Sequence, residues 1–249
     1  MNDGSDSGAV RLEISGPVGR LVLDRPRKRN ALSTHLLAEL AARLDEVAAA
    51  PDVRVVTLHG AGPVFCAGAD TAEFGGITAE LARGRWTRSG QRVFRTLAEL
   101  PQTTVAVVTG GAWGGGLELA MHCDFRVAAD TAVLGLPEAT LGTTPGWAGL
   151  SRITEIAGVA AARRLALTGQ PASAGEALRL GIVDVVDRDA ESAAEVLVRD
   201  ILSTTPGAQS ILKRVLSAAS PADTANLIEA LAGAYLIASG ETRPTRRSS

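Results

Sequence analysis

The chain has 249 residues, of which 46% are hydrophobic, and its formal net charge is −2. This size and composition are typical of a globular protein with one sizeable core and a smaller appended part. The 25 Lys and Arg residues are balanced by 27 Asp and Glu residues, which argues against a nucleic-acid-binding protein. One short basic cluster, residues 25–29, could still bind a small polyanion.

The cysteines, the histidines and the N-terminus argue against a secreted or metal-dependent protein. Cys66 and Cys123 are too few for a disulfide framework and fit a reducing, cytoplasmic setting. The chain begins with polar and acidic residues and contains no apolar run of about 18 residues, so we expect neither a secretion signal nor a membrane span. The histidines, at positions 35, 59 and 122, lack the spacing of metal ligands, and we expect no metal site.

Strands and helices alternate along the first half of the chain. Segments rich in β-branched residues predict strands, and leucines at helical spacing after Ser33, a suitable N-cap, predict a helix. The predicted strands are 18–24, 53–59, 103–109 and 125–128, and the predicted helices are 34–50, 77–100 and 115–123. This repetition at intervals of about fifty residues indicates an α/β domain with its functional loops at one end of the strands.

Helices dominate after about Pro145, and residues 182–186 form the one strand predicted there. The predicted helices are 150–156, 159–167, one between the capping box at 173–176 and Gly181, and three that begin near residues 190, 206 and 221. We therefore divide the chain into a disordered N-terminal segment (1–10), a core (11–190), a helical oligomerisation region (191–239) and a loose tail (240–249).

Two glycine-containing turns suggest a site for a carbonyl oxygen. One is Phe-Cys-Ala-Gly-Ala-Asp at residues 65–70, which follows a predicted strand, and the other is the glycine triplet at residues 114–116, at the start of a helix. Backbone N–H groups at such turns can stabilise negative charge on an oxygen. We expect the N–H groups of Ala67 and Gly115 to do so, with Asp70 steadying the first turn.

Two carboxylates accompany these turns. Glu118 lies in the first turn of the helix after the triplet, and Glu138 follows twenty residues later in a loop. Paired carboxylates beside a polarised carbonyl could move protons. Each feature also has a structural explanation, since glycine turns are common in packing, and the two acids could lie on the surface as a helix-dipole partner and a salt bridge. The two turns and two acids together favour catalysis.

Two other enzyme classes lack their sequence signals. Residues 111–114 do not give the Gly-x-Gly-x-x-Gly spacing of a dinucleotide-binding dehydrogenase. The chain also has no Gly-x-Ser-x-Gly sequence, the turn that presents a nucleophilic serine.

Four motifs, at residues 30–32, 65–70, 114–124 and 135–146, resemble in order and spacing those of the crotonase, or enoyl-CoA hydratase/isomerase, superfamily. The resemblance covers nearly the whole chain. It implies a spiral of ββα units followed by a helical trimerisation region, assembled as a trimer or a dimer of trimers. It also implies an acyl-CoA thioester as substrate, with no cofactor besides the coenzyme A that the substrate carries.

The resemblance also implies roles for the turns and the acids. The N–H groups of Ala67 and Gly115 would form the oxyanion hole for the thioester oxygen. Glu118 would take a proton from the water that attacks C3, and Glu138 would supply a proton to C2. Because many relatives that shift double bonds or hydrolyse thioesters carry only one of these acids, the pair favours hydration of a 2-enoyl-CoA.

Substrate-binding positions follow from the same resemblance. The segment that includes Lys28 and Arg29 would lie near the phosphates of coenzyme A, with the backbone of Asn30 and Ala31 near adenine. The remaining expected positions are Gly68, Ala69, Asp70, Trp113, Gly114 and Trp147. The two tryptophans depart from the residues usual in the family, and we expect them to reshape the acyl pocket. The alternatives are an isomerase or thioester hydrolase of the same fold and a non-catalytic acyl-CoA-binding protein.

Overall fold

The computed structural model describes residues 7–76, Gly84 and residues 86–217. The predicted helix near residue 221 and the tail at 240–249 lie outside the described residues. The strands are β1 (Ala9–Ser15), β2 (Val18–Asp24), β3 (Val55–Gly60), β4 (Val64–Cys66), β5 (Thr103–Val108), β6 (Gly111–Trp113), β7 (Phe125–Ala129), β8 (Val133–Gly135), β9 (Ala172–Ser173) and β10 (Val185–Asp187). The α-helices are α1 (Thr34–Ala48), α2 (Thr87–Glu99), α3 (Gly115–Met121), α4 (Gly149–Thr168), α5 (Ala174–Arg179), α6 (Ala190–Leu202) and α7 (Pro206–Ser217).

The strands form two sheets. The larger sheet has the order β1-β2-β3-β5-β7-β10, and all neighbours are parallel except β1 and β2. The smaller sheet has the order β4-β6-β8-β9, with β9 antiparallel to β8. Successive strands alternate between the sheets, so that β3 and β4, β5 and β6, and β7 and β8 each contribute one strand to each sheet before a helix follows. The predicted spiral of ββα units is therefore confirmed.

The longer elements form where local sequence signals predict them. Ser33 caps α1, since its hydroxyl accepts a hydrogen bond from the amide of Leu36 at 3.1 Å. The hydroxyl of Ser173 likewise accepts from the amide of Glu176 at 3.2 Å and starts α5. The two helices predicted at 150–156 and 159–167 are the two halves of α4, which breaks at Gly158, where φ is 81° and ψ is 163°. Pattern and capping chemistry thus define most of the larger elements.

Two features of the fold differ from the predictions. β1 begins at Ala9, inside the segment expected to be disordered, because it pairs along its whole length with β2, from Ala9 opposite Asp24 to Ser15 opposite Val18. The strands of the smaller sheet were not predicted, because two or three residues are too few to show strand periodicity.

The smaller sheet positions the two glycine-containing turns. β4 and β6 are parallel neighbours, with Cys66 opposite Ala112, and each turn follows the carboxyl end of its strand. Because the carboxyl ends of parallel neighbours meet at one edge of a sheet, the turns at residues 67–70 and 114–116 lie side by side. Within the described ranges, no helix is long and apolar enough to cross a membrane.

Candidate active site

The first turn presents the amide of Ala69. Leu32 pairs with Ala69 as an isolated parallel bridge, in which the Leu32 amide donates to the carbonyl of Gly68 at 2.7 Å and the Leu32 carbonyl accepts from the amide of Asp70 at 3.0 Å. In a parallel bridge of this kind, the N–H of the central residue points away from its partner. The Ala69 N–H therefore faces away from Leu32, and in the described part of the chain it has no hydrogen-bond partner.

The prediction that Ala67 supplies an oxyanion donor was wrong. The Ala67 amide donates to the carbonyl oxygen of Arg29 at 2.9 Å, so this N–H is already satisfied by the basic segment at residues 25–32. The donor available in this turn lies two residues further on, at Ala69. The turn lets its backbone approach the second turn because Gly68, with φ at 94°, carries no Cβ atom, which would lie 2.6 Å from the carbonyl oxygen of Trp113.

The second turn presents the amide of Gly115 as the first residue of α3. Gly114 has φ at 50° and ψ at −122°, a conformation that favours glycine. A Cβ atom on Gly115 would lie 3.5 Å from the Ala69 nitrogen, which shows how closely the two turns approach each other. The N–H of Gly115 is one of the amides that a helix leaves unpaired at its N-terminus, where the helix dipole also favours negative charge.

Glu118 is held in a fixed position next to this turn. Its side chain lies on the first turn of α3 and the residue is 2% exposed. One carboxylate oxygen, Oε1, accepts hydrogen bonds from the amides of Trp147 at 2.9 Å and Gly149 at 2.8 Å. Burial raises the pKa of Glu118 to about 7, with a smaller upward contribution from the charge of Glu138, and the amide hydrogen bonds oppose this shift. Glu118 is thus able to exchange a proton near neutral pH.

Glu138 approaches the same turn from the other side. It begins the short 3₁₀ helix Glu138–Leu141 and is 9% exposed. Its Oε1 lies 2.8 Å from the position that a Cβ atom on Gly114 would occupy, so glycine at that position leaves room for the carboxylate. Its Oε2 is buried and has no hydrogen-bond partner among the residues that the structure describes. Burial raises the pKa of Glu138 above its usual value.

One cavity of about 580 Å³ contains both acids and both available amides. It is lined by Ala67, Gly68, Ala69, Thr71, Trp86, Thr87, Gln91, Gly114, Gly115, Glu118, Pro137, Glu138, Leu141, Thr143, Thr144, Pro145, Gly146 and Trp147. The structure therefore brings together residues that are up to about eighty positions apart in the sequence. Sequence reasoning missed Trp86 and the role of the Gly149 amide, because only the fold brings these groups to the site.

Four of the predicted substrate-binding residues belong to the basic segment rather than to the cavity lining. Lys28 and Arg29 are exposed, and Ala31 is half-buried. Asn30 is fully buried, and its side-chain amide donates to the carbonyls of Ala61 at 2.9 Å and Val64 at 2.7 Å. The Asn30 side chain therefore holds the basic segment against the strand before the first turn and is not free to bind a ligand.

Asp70 also has a structural partner. Its carboxylate forms a salt bridge with Arg25 at 2.6 Å and accepts a hydrogen bond from the amide of Ala72 at 3.0 Å. Burial acts to raise the pKa of Asp70, but the hydrogen bonds from Arg25 and the Ala72 amide and the charges of Arg25 and Lys28 together outweigh it, so the pKa lies below its usual value. Asp70 thus steadies the first turn, as expected, and joins it to the basic segment.

Trp113 lies outside the cavity, contrary to the expectation that it shapes the acyl pocket. Its indole fills the space left by two glycines of the smaller sheet. A Cβ atom added to Gly111 would lie 2.4 Å from the indole, and one added to Gly135 would lie 3.1 Å from it. β6 places the Trp113 side chain against the neighbouring strand β8, so this tryptophan packs within the sheet. Trp147, by contrast, lines the cavity as expected.

Metal-ligating side chains do not cluster in the described residues, where no group of three or more His, Cys, Asp or Glu could hold an ion. His122, one turn after Glu118, donates from Nδ1 to the carbonyl oxygen of Glu118 at 2.7 Å. Burial lowers the pKa of His122, so the imidazole is neutral at neutral pH. This histidine supports the helix that carries Glu118.

The comparisons with known proteins agree with this architecture. The chain belongs to the enoyl-CoA hydratase/isomerase family, whose sequence profile matches residues 13–234. It is 36% identical to the short-chain-enoyl-CoA hydratase of Clostridium acetobutylicum over 211 residues, which cover 84% of this chain and 80% of the relative.

Solved structures of enoyl-CoA hydratases also superpose closely on this chain. The crystal structure of enoyl-CoA hydratase from Bacillus anthracis superposes with a TM-score of 0.87 at 35% identity, covering 92% of this chain and 90% of the other. A Thermobifida fusca protein crystallised in complex with CoA superposes with a TM-score of 0.86 at 30% identity, covering 94% of each chain.

Proposed function

We propose that this protein is an enoyl-CoA hydratase that adds water to the double bond of a 2-enoyl-CoA thioester and forms a 3-hydroxyacyl-CoA. The observation that carries this proposal is the presence of two buried carboxylates, Glu118 and Glu138, and two available amides, of Ala69 and Gly115, around one cavity. Family membership and relatives named as hydratases support the same reaction.

The two amides would bind the thioester oxygen. Attack of water at C3 moves electron density through C2 to this oxygen, so the carbonyl becomes enolate-like. The N–H groups of Ala69 and Gly115 belong to rigid turns that approach each other closely, and they can stabilise this charge without rearrangement. Such fixed donors lower the barrier because they bind the transition state more strongly than the substrate.

The two acids would divide the proton transfers. Glu118, in its ionised form, takes a proton from the attacking water, and Glu138, in its protonated form, supplies a proton to C2. The raised pKa of Glu118 makes both of its protonation states accessible near neutral pH, and burial raises the pKa of Glu138 as well. The charge of Glu138 contributes to the raised pKa of Glu118, so the ionisation of one carboxylate affects the proton affinity of the other.

The basic segment at residues 25–32 would bind the coenzyme A part of the substrate. Its side chains at Arg27, Lys28 and Arg29 are exposed, and its backbone is bonded to the first turn through Ala67 and Gly68. Cations beside the mouth of an active site are natural partners for phosphate groups. The complex of the Thermobifida fusca protein with CoA supports a coenzyme A site in this fold.

Incubation with crotonyl-CoA followed by mass spectrometry tests the reaction. The expected product is heavier than the substrate by one water. An unchanged mass with a moved double bond would indicate an isomerase, release of free CoA thiol would indicate a thioester hydrolase, and binding without turnover would indicate a non-catalytic acyl-CoA-binding protein. Any of these three results would overturn the hydratase proposal.

The pH dependence of hydration should report the ionisation of Glu118. We expect kcat/KM to fall about tenfold per pH unit below about pH 7, because protonated Glu118 cannot accept a proton from water. The mechanism also requires a second fall in kcat/KM where Glu138 loses its proton, because C2 then lacks its proton donor. The residual activity of Glu138→Gln should retain the acidic limb and lose this second fall, because glutamine has no proton to lose. An acidic limb at the usual pKa of a glutamate would contradict the assignment.

We further propose that the helical region at 191–239 forms subunit contacts in a trimer or a dimer of trimers, and that the enzyme is cytoplasmic. Within the described part of this region, α7 exposes Leu212 and Leu216 beside a groove of about 670 Å³. Exposed apolar residues of this kind support a subunit contact. Cys66 and Cys123 are buried free thiols, which agrees with a reducing compartment. Sedimentation analysis of the full chain tests the assembly, and a monomer would contradict it.

A further inference from the structure

The indole of Trp147 lies across one side of the active-site cavity. The residue is 1% exposed, and its ring packs against Trp86, with centroids 4.4 Å apart, and edge-on against Phe94, with centroids 5.3 Å apart. Its Nε1 is buried without a hydrogen-bond partner in the ranges that the structure describes, so packing alone holds the ring. Trp86 and Trp147 thus line the cavity together, and Phe94, which is not part of the lining, packs against Trp147.

Two glycines leave room for this ring. On α2, a Cβ atom at Gly90 would lie 2.2 Å from Nε1 of Trp147, and on α3, a Cβ atom at Gly115 would lie 2.4 Å from its Cζ3. A glycine inside a helix lowers helix stability, and a buried indole N–H without a partner also carries a free-energy cost. Such local conflicts with stability are typical of functional sites. The pairing of Trp147 with Gly90 therefore indicates a functional role for the indole in addition to packing.

The position of Trp147 relative to the catalytic groups suggests what this role is. Its ring edge contacts Gly115, an oxyanion donor, and its backbone amide holds Oε1 of Glu118, the group that activates water. Because Trp147 lines the cavity beside both Gly115 and Glu118, a thioester whose oxygen meets Gly115 and whose C3 lies beside Glu118 would place its next carbons near the indole. The coenzyme A part would extend towards the basic segment, which is hydrogen-bonded to the first turn.

We propose that Trp147, accommodated by Gly90, closes the acyl end of the cavity and restricts the enzyme to short-chain 2-enoyl-CoA substrates. This inference rests on the proposed hydratase function and names its substrate class. The physical reason is steric, since a long acyl chain can enter only if the indole moves, and close packing against Trp86, Phe94 and the two glycines prevents that movement. Trp147 acts in specificity and takes no part in proton transfer.

The test compares kcat/KM for crotonyl-, octenoyl- and dodecenoyl-CoA in the wild type and in Trp147→Ala, which keeps the backbone amide that holds Glu118. We expect the wild-type value to fall by about a hundredfold or more from crotonyl- to dodecenoyl-CoA, and Trp147→Ala to reduce that ratio by about tenfold or more. A wild-type profile that is flat with chain length, or a ratio unchanged in the variant, would overturn the proposal.

A matched control and a milder variant keep the test decisive. Trp113→Phe removes indole bulk outside the cavity and should leave the chain-length ratio unchanged. Trp147→Leu retains part of the apolar volume and should change the ratio in the same direction if the alanine variant fails to fold. Gly90→Ala should lower Tm in the wild type and be tolerated beside Trp147→Ala, because the three atoms nearest to the added Cβ all belong to the indole.

Binding of unreactive thioesters separates this inference from the hydratase function. Butyryl-CoA and dodecanoyl-CoA have no 2,3-double bond, so their Kd values report the size of the acyl pocket without any turnover. The expected result is tighter binding of the butyryl ester by the wild type and a smaller preference in Trp147→Ala. Absence of hydration with this preference intact would contradict the proposed function alone, whereas equal Kd values in the wild type would contradict the size restriction alone.

Discussion

Replacement of Glu118 by glutamine is expected to lower kcat for hydration by about 10²–10⁴, the usual contribution of one general acid or base. Glutamine has nearly the same shape as glutamate, and its carbonyl oxygen can still accept the hydrogen bonds from Trp147 and Gly149 that hold Oε1. The position of the side chain should therefore persist while its ability to take a proton from water is lost. Stopped-flow measurement of crotonyl-CoA hydration checks this expectation.

Glu138→Gln should lower kcat over the same range, because C2 would lose its proton donor. The matched control is Glu99→Gln on α2, where the glutamate is exposed and forms a salt bridge with Arg95 on the same helix. This control should leave kcat unchanged. If either active-site variant kept wild-type turnover, the corresponding acid would have no part in proton transfer and the two-carboxylate mechanism would be wrong.

The Glu118→Gln variant should also be more stable than the wild type above about pH 7. Burial raises the pKa of Glu118 in the folded state to about 7 from an ordinary value of 4.5. Because the unfolded chain then loses its proton first, the wild type loses stability as pH rises through this interval, and the loss is complete above it. Removing the charge should recover up to about 3 kcal/mol of unfolding free energy. Urea titration of both proteins at several pH values measures this difference in unfolding free energy.

The larger elements could be predicted from the sequence because their causes are local. The β-branched segments that became β2, β3 and β5 need only their own side chains to favour an extended backbone. The start of α1 at Ser33 and the break in α4 at Gly158 depend on one residue each. The acids at Glu118 and Glu138 were found because their spacing from the glycine triplet matches a family motif.

The remaining features of the site depend on contacts between residues that lie far apart in the sequence. Whether the first turn presents Ala67 or Ala69 is decided by the carbonyl of Arg29 and by the bridge to Leu32, more than thirty positions upstream. The fit of Trp147 against Gly90 joins a loop and a helix that no local pattern relates. Trp113 and Trp147 look equivalent in the sequence, but a strand directs the first into the smaller sheet while the loop before α4 directs the second into the cavity.

The assignment of the oxyanion donor to Ala69 leads to a prediction that no side-chain substitution can test. Incorporation of lactic acid at position 69 replaces the peptide bond after Gly68 by an ester and removes a single N–H. We expect kcat to fall by about 10²–10³, the loss typical of one oxyanion donor. The thioester oxygen would then be held by Gly115 alone, while both carboxylates and the cavity walls would be unchanged.

The same replacement at position 67 provides the matched comparison. It removes the N–H that donates to Arg29, so it should lower the free energy of unfolding by about 1 kcal/mol and leave kcat close to that of the wild type. Each ester also weakens the preceding carbonyl as an acceptor, and at position 69 that carbonyl receives the Leu32 amide, so both proteins should lose some stability. Turnover measured at equal concentrations of folded protein therefore distinguishes them. A large loss of kcat at position 67 with none at position 69 would return the donor to Ala67.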